Sequence, residues 1–296
     1  MRPLLSALLV LLVALPVTAA SAAAAGPARL ADLPADVVAL AAAPDGGVLA
    51  LTRDRRLLWV ARDGGSRVLP LPPVAGMAAD EEFCDLATTA DGVVLCRERS
   101  LQLYRLAFAR PTRWQVLTPH EVPAGVGRWV ALAAAGDQLW AAAAGAGLVA
   151  IARDGRCRAL AADAVPVAGP DRLPLRLHHE LTPQDARHTW IVMTSKGHSL
   201  FAAATPDLAH NLVGVEPLGC DGTGRLWLLT TTRDRDRSDR RALVAVAGGA
   251  EVRRHEMSTG GTPLCQRQHL LLRDDRLAFL VAGKEGERPQ LMLVTP

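Results

Sequence analysis

The chain is poor in aromatic residues: of 296 residues one is Tyr, four are Phe and six are Trp. So few rings argue against a base-stacking surface, and no nucleic-acid partner is expected. Charge of one sign is also scarce. The formal balance is +3, so any electrostatic recognition has to be local. The five Cys (Cys84, Cys96, Cys157, Cys220 and Cys265) include no Cys-x-x-Cys pair, and their spacings fit no zinc pattern. No Gly-x-Ser-x-Gly elbow and no phosphate-cradling Gly loop is present, so the signatures of serine hydrolases and nucleotide binders are missing. Beyond the first turns of the chain no hydrophobic run reaches membrane-spanning length, and no transmembrane segment is expected after the leader.

What is present begins with that leader. Met1-Arg2 is followed by an apolar run from Pro3 to Val17 and an Ala-rich stretch through Gly26 that contains Ala20-Ser21-Ala22. A basic start, a short apolar core and small residues at a cleavage site describe a secretory signal peptide over residues 1–25. Residues 26–296 then form a single domain, expected in the periplasm or outside the cell. In an exported chain, five Cys leave at least one thiol without an intramolecular partner. Cys84 and Cys96 flank a hairpin centred near Ala90, and cross-strand neighbours of that kind are expected to form a disulfide.

The segment "ALAAAPDGGVLALTRDRRLLWVARDGGSRVLPLP" (Ala39 to Pro72) reads as four short apolar strands separated by Asp-Gly turns. The pattern recurs. "LATTADGVVLCRERSLQLYRLAF" (Leu86 to Phe108) repeats three of the strands, and "VALAAAGDQLWAAAAGAGLVAIARDGRCRAL" (Val130 to Leu160) repeats all four. Weaker copies start at His188, Asp221 and Asp274. Anchoring each unit on its second strand picks out Ala50, Cys96, Trp140, Trp190, Trp227 and Ala278. Six four-stranded units of about 45 residues make an all-β, six-bladed β-propeller. The last unit ends after its third strand, "QLMLVTP". The N-terminal "ARLADLP" (Ala28 to Pro34) resembles the fourth strand of the first unit, so the N-terminal strand is expected to close the last blade.

Val130, Leu132, Leu139-Trp140 and Gly145 to Leu148 are similar to the repeat of bacterial propellers of the NHL, YVTN and two-component-regulator types. The resemblance implies a WD40/YVTN-like propeller and no particular function. In such a ring the loops joining strands two to three, and the linkers between blades, share one face. Basic residues recur in the loops assigned to it: Arg53, Arg55 and Arg56; Arg97 and Arg99; Lys196 and His198; Lys284 and Arg288. The insertion "RDRDRSDRR" adds Arg233, Arg235, Arg237 and Arg240. This reading gives a non-catalytic binding or scaffold protein whose basic face meets an acidic protein or an anionic envelope glycan, with no cofactor. The alternative is a metal-dependent hydrolase or lactonase with a divalent ion at the channel mouth. His178, His179 and Glu180, read as part of an inter-blade linker, are its candidate ligands. Propeller lactonases use Asn among their metal ligands, and the single Asn of this chain, Asn211, falls on an expected outer strand.

Overall fold

A computed structural model of the chain describes residues 27–78, 80–182, 187–204, 211–234, 238–257, 269–272, 274–281 and 287–294, with the side chain of Asn211 excepted. Arg235, Arg237, Cys265, Lys284 and the leader lie outside the described residues. All regular structure among those described is β. Strand β1 (Ala28–Asp32) precedes a first blade of β2 (Val37–Ala42), β3 (Val48–Thr52), β4 (Leu57–Val60) and β5 (Ser66–Leu69). Blade 2 holds β6 (Phe83–Thr88), β7 (Gly92–Arg97), β8 (Ser100–Ala107) and β9 (Gln115–Leu117). Blade 3 holds β10 (Trp129–Ala135), β11 (Gln138–Ala143), β12 (Gly147–Ile151) and β13 (Cys157–Ala159). Blade 4 holds β14 (Ala164–Ala168), β15 (Pro174–Thr182), β16 (Arg187–Met193) and β17 (Ser199–Ala204), and blade 5 holds β18 (Asn211–Cys220), β19 (Leu226–Arg233), β20 (Asp239–Ala247) and β21 (Ala250–Met257). Blade 6 has β22 (His269–Leu271), β23 (Leu277–Val281) and β24 (Gln290–Val294).

Each blade is an antiparallel sheet in chain order, and the fourth strand of blade 6 is β1. The first strands β2, β6, β10, β14, β18 and β22 each touch the next around a ring, and β22 meets β2. The chain is therefore a six-bladed propeller closed by its N-terminal strand, as the sequence led us to expect. Ala28 pairs with Leu293 and Asp32 with Gln290, and Leu33 N–H donates to the Pro289 carbonyl at 2.8 Å. Burial of Leu33, which is 1% exposed, anchors the seam between blades 6 and 1.

The turn between the first two strands of each blade carries an aspartate. Asp45 accepts Gly47 N–H at 3.0 Å and the Trp59 indole N–H at 3.0 Å. Asp91 accepts the Thr89 hydroxyl, Asp137 pairs with Arg153, and Asp171 accepts Leu173 N–H and the Ser195 hydroxyl. Asp274 pairs with Arg276 in blade 6. Asp221 is the most enclosed of them. It accepts Thr223 N–H and Oγ1–H, Arg225 N–H and Nε–H, and the indole N–H of Trp227, all between 2.7 and 3.0 Å. Burial pushes its carboxyl up, but the hydrogen bonds from Thr223, Trp227 and Arg225 outweigh that and bring it down to about 2.

Blade 4 departs from the sequence reading. Trp190 lies on β16, the third strand, whereas Trp140 and Trp227 lie on second strands. The stretch from Val165 to Glu180, taken for a linker, contains most of β14, a turn and most of β15. Its outward residues are polar and β14 carries Pro166, so the usual apolar strand pattern is absent there. Asn211 opens β18, the first strand of blade 5, and not an outer strand.

Candidate functional site

The corrected register moves two expected site residues to the other face of the ring. Lys196 and His198 belong to the turn between β16 and β17, where Thr194 N–H donates to the His198 carbonyl at 2.9 Å. Turns joining third to fourth strands share their face with those joining first to second, opposite Arg53 and Arg99. His178, His179 and Glu180 also change setting, because all three lie on β15. Successive strand residues point to opposite sides of a sheet, so His179 points away from His178 and Glu180 and the three do not converge. Among the described residues no group of three His, Cys, Asp or Glu side chains could hold a metal ion.

On the face carrying the two-to-three loops the basic residues are held by partners. Arg97 is 7% exposed. Its Nε donates to Glu81 at 2.8 Å, its Nη2 reaches the other Glu81 oxygen, and its Nη1 donates to the Tyr104 hydroxyl at 2.8 Å. The Glu81 carboxylate raises the guanidinium further above its ordinary value, and the pair ties β7 to the linker before β6. Arg55 donates to the carbonyls of Ala78 and Glu81 at 2.6 and 2.7 Å. Arg53 faces Glu82 at 3.4 Å, Arg56 faces Asp54 at 2.6 Å and Arg99 faces Asp80 at 3.1 Å. In the blade 5 hairpin Arg233 grips Asp239 with two bonds of 2.7 and 3.0 Å, and Arg240 faces Asp234 at 2.6 Å. Among the described residues of these loops, Arg53, Arg56, Arg97, Arg99, Arg233 and Arg240 each have a carboxylate beside them, which offsets their charge.

Cys84 and Cys96 approach through a β-bulge. Phe83 pairs with Arg97 and Asp85 with Cys96, which leaves Cys84 as the extra residue. Their Sγ atoms are 3.1 Å apart, and both are thiols in this structure. The neighbouring Cys84 sulfur and burial push the Cys96 thiol well up. Asp85, on the inner strand β6, accepts Leu132 N–H at 2.6 Å and so fastens blade 2 to blade 3.

A cleft that was not read from the sequence lies between blades 3 and 4. Among the described residues, five of the six blade interfaces bury apolar clusters of seven or more residues, while the cluster between blades 3 and 4 has three buried members, Ala133, Trp140 and Leu148. The cause is residue size. The row Ala133–Trp140–Ala150–Arg158 crosses blade 3, and Ala135 and Gln138 form the next row. On blade 4 the facing residues include Ala164, Pro174 and Arg176. Alanine fills too little space, and a cleft of about 580 Å³ remains.

Trp140, Ala150, Leu160 and Leu173 are among the apolar residues lining this cleft, and Arg156, Arg158 and Arg176 supply three guanidiniums. Arg176 is held by Asp163 at 2.8 Å, and Arg156 stands 3.5 Å from Glu121 with both exposed. Arg158 makes no ion pair among the described residues. Ser195, in the same turn as Lys196 and His198, lines the mouth with Asp137. The available sequence signal was the small residues of "ALAAAG" (Ala131 to Gly136) in the same blade as "RCR" (Arg156 to Arg158).

No family model matches the sequence, and no curated protein matches it. Solved structures do match. A putative gluconolactonase superposes with a TM-score of 0.53 at 14% identity over 93% of each chain. A chain of a mitotic checkpoint complex gives 0.53 at 9% identity over 100% of this chain and 99% of its own. A putative oxidoreductase (glucose dehydrogenase) from Thermus thermophilus gives 0.53 at 14% identity, covering 91% and 99%. Enzymes and a member of a protein assembly share this architecture, so the likeness carries the fold alone. By architecture the chain is a six-bladed β-propeller, closed by its N-terminal strand and open at one seam.

Proposed function

We propose that the chain is an exported binding protein that takes a small anionic ligand in the cleft between blades 3 and 4. The observation that carries this reading is a cleft of about 580 Å³ with an apolar wall and an arginine, Arg158, that has no ion-pair partner among the described residues. That volume is within the range of small-molecule sites, and guanidinium forks suit carboxylate and phosphate groups. The leader-like residues 1–25 support the export part of the reading. An acidic envelope saccharide is the ligand class that fits both.

Trigalacturonate is a suitable probe, with binding followed by titration calorimetry. Arg158→Ser should weaken it at least tenfold, since a hydrogen bond to a charged group contributes about 1.5–3 kcal/mol. Ala150→Leu should abolish binding while leaving the melting temperature unchanged or higher, because it fills the cleft with apolar atoms. Binding should also weaken as salt rises through about 0.15 M. Binding indifferent to both substitutions, yet lost on changing Arg53, Arg99 and Arg240, would return the site to the opposite face.

A further inference from the structure

We infer that the ligand cleft continues past blade 3 into a notch between blades 2 and 3, and that this notch receives the N-acetyl group of a sugar adjoining the acidic unit. The inference rests on the cleft proposed above and narrows its ligand to an acidic saccharide with N-acetylated units. Val94 on β7, Leu117 on β9, and the paired Leu139 and Ile151 of blade 3 form the apolar walls of the notch. All four pack in the apolar cluster between blades 2 and 3. Thr89 and Asp137, from first-to-second turns, and Arg153, from a third-to-fourth turn, put the notch on the same face as the mouth of the cleft. Asp137, Leu139, Ile151 and Ala152 line both cavities, so the turn end of blade 3 is what stands between them.

Size and charge select the group. The notch has a volume of about 50 Å³, against about 580 Å³ for the cleft. An apolar cavity of about 150 Å³ takes a benzene ring, so this one admits a few heavy atoms and no sugar ring. Its two arginines already have carboxylates: Arg153 faces Asp137 at 3.2 Å, and Arg105 pairs with Asp91. Arg158 in the cleft has no such partner among the described residues, so a carboxylate suits the cleft and a neutral group suits the notch. An N-acetyl group matches the lining. Its methyl fits against Val94, Leu117, Leu139 and Ile151, where burial removes apolar surface from water. Its amide N–H can donate to the Asp137 carboxylate, and its carbonyl can accept from the side-chain amide of Gln115, which is exposed at the rim.

Titration calorimetry of the full chain with a hyaluronan hexasaccharide, which alternates glucuronate with N-acetylglucosamine, tests the notch. The same hexasaccharide carrying N-formyl groups keeps the amide and lacks only the methyl. It should bind about fourfold more weakly, the loss expected for one buried methyl group. Leu117→Ser, which opens the apolar wall to water, should erase that difference. A second measurement needs no variant. In hydrogen exchange the hexasaccharide should protect residues 115–117 together with β13, whereas trigalacturonate should protect β13 and leave 115–117 unchanged. Equal binding of the acetyl and formyl forms, an acetyl preference that survives Leu117→Ser, or no protection of residues 115–117 would overturn the notch, and the cleft would stand as long as trigalacturonate binds. Binding of neither sugar would overturn both.

Discussion

At the scale of single residues the polar groups that matter are those the fold has enclosed. Asp221 receives five hydrogen bonds from its own turn and from Trp227. Its folded-state carboxyl, at about 2, lies below the ordinary 3.8. The stabilisation it contributes is complete above about pH 4 and is lost as pH falls toward 2. It amounts to about 2 kcal/mol. Trp227→Phe keeps the ring but removes one donor, and should cost about 1–3 kcal/mol at neutral pH. Acid titration of Asp221 by NMR in that variant should show its midpoint raised, and an unchanged midpoint would mean that the indole bond contributes little. Arg97, which the sequence suggested as a ligand contact, has a different role. Arg97→Leu leaves Glu81 buried without its cation and should cost about 3–5 kcal/mol, read by denaturant unfolding; a loss of binding with unaltered stability would restore the surface role. Cys84 and Cys96 make a third case. Two thiols 3.1 Å apart should close to a disulfide when an added disulfide oxidant accepts their two electrons and two protons. Unreduced peptide mapping would show the link, and two free thiols after oxidation would exclude it.

At the scale of strands and turns, repetition made the architecture legible. The Asp-Gly turns around Gly46 and Gly64 and the apolar runs between them gave the blades, and the resemblance of "ARLADLP" to "SRVLPLP" gave the closure. Blade 4 was misread because Trp190 drew the alignment to itself, although it sits on a third strand. The aspartate of the first turn (Asp45, Asp91, Asp137, Asp171, Asp221 and Asp274) is the steadier marker, because its side chain is engaged at the turn in every blade. Anchored on Asp171, the sequence would have put His178 and His179 on a strand and Lys196 across the ring. The cleft was harder to see, since it arises from packing Ala133 and Ala150 against a different blade. One turn also reports on closure. Gly64 has a φ of 86°, and a Cβ there would meet the Leu30 carbonyl oxygen of β1 well inside van der Waals contact. Gly64→Ala should therefore displace the closing strand as well as strain the turn, lowering the melting temperature and exposing β24 to edge-to-edge association. A variant that stays monomeric with an unchanged melting temperature would show that β1 does not hold the ring.

For the whole molecule, the six interfaces are unequal. Leucines, valines and aromatics fill five of them, and small side chains leave the sixth open beside three arginines. An unpacked seam forgoes apolar burial that the other interfaces have, and its place in the ring coincides with Arg158, whose guanidinium has no ion pair among the described residues. Among the described residues of the opposite face, the arginines Arg97, Arg53, Arg99, Arg240 and Arg233 are matched by Glu81, Glu82, Asp80, Asp234 and Asp239. The account thus depends on one location. Hydrogen exchange of the full chain, measured with and without saturating trigalacturonate, reads that location directly. The account predicts new protection in β13 and in the first half of β15, with residues 53–56 and 98–99 unchanged. Protection of those two loops instead, or no protection at the seam, would contradict it.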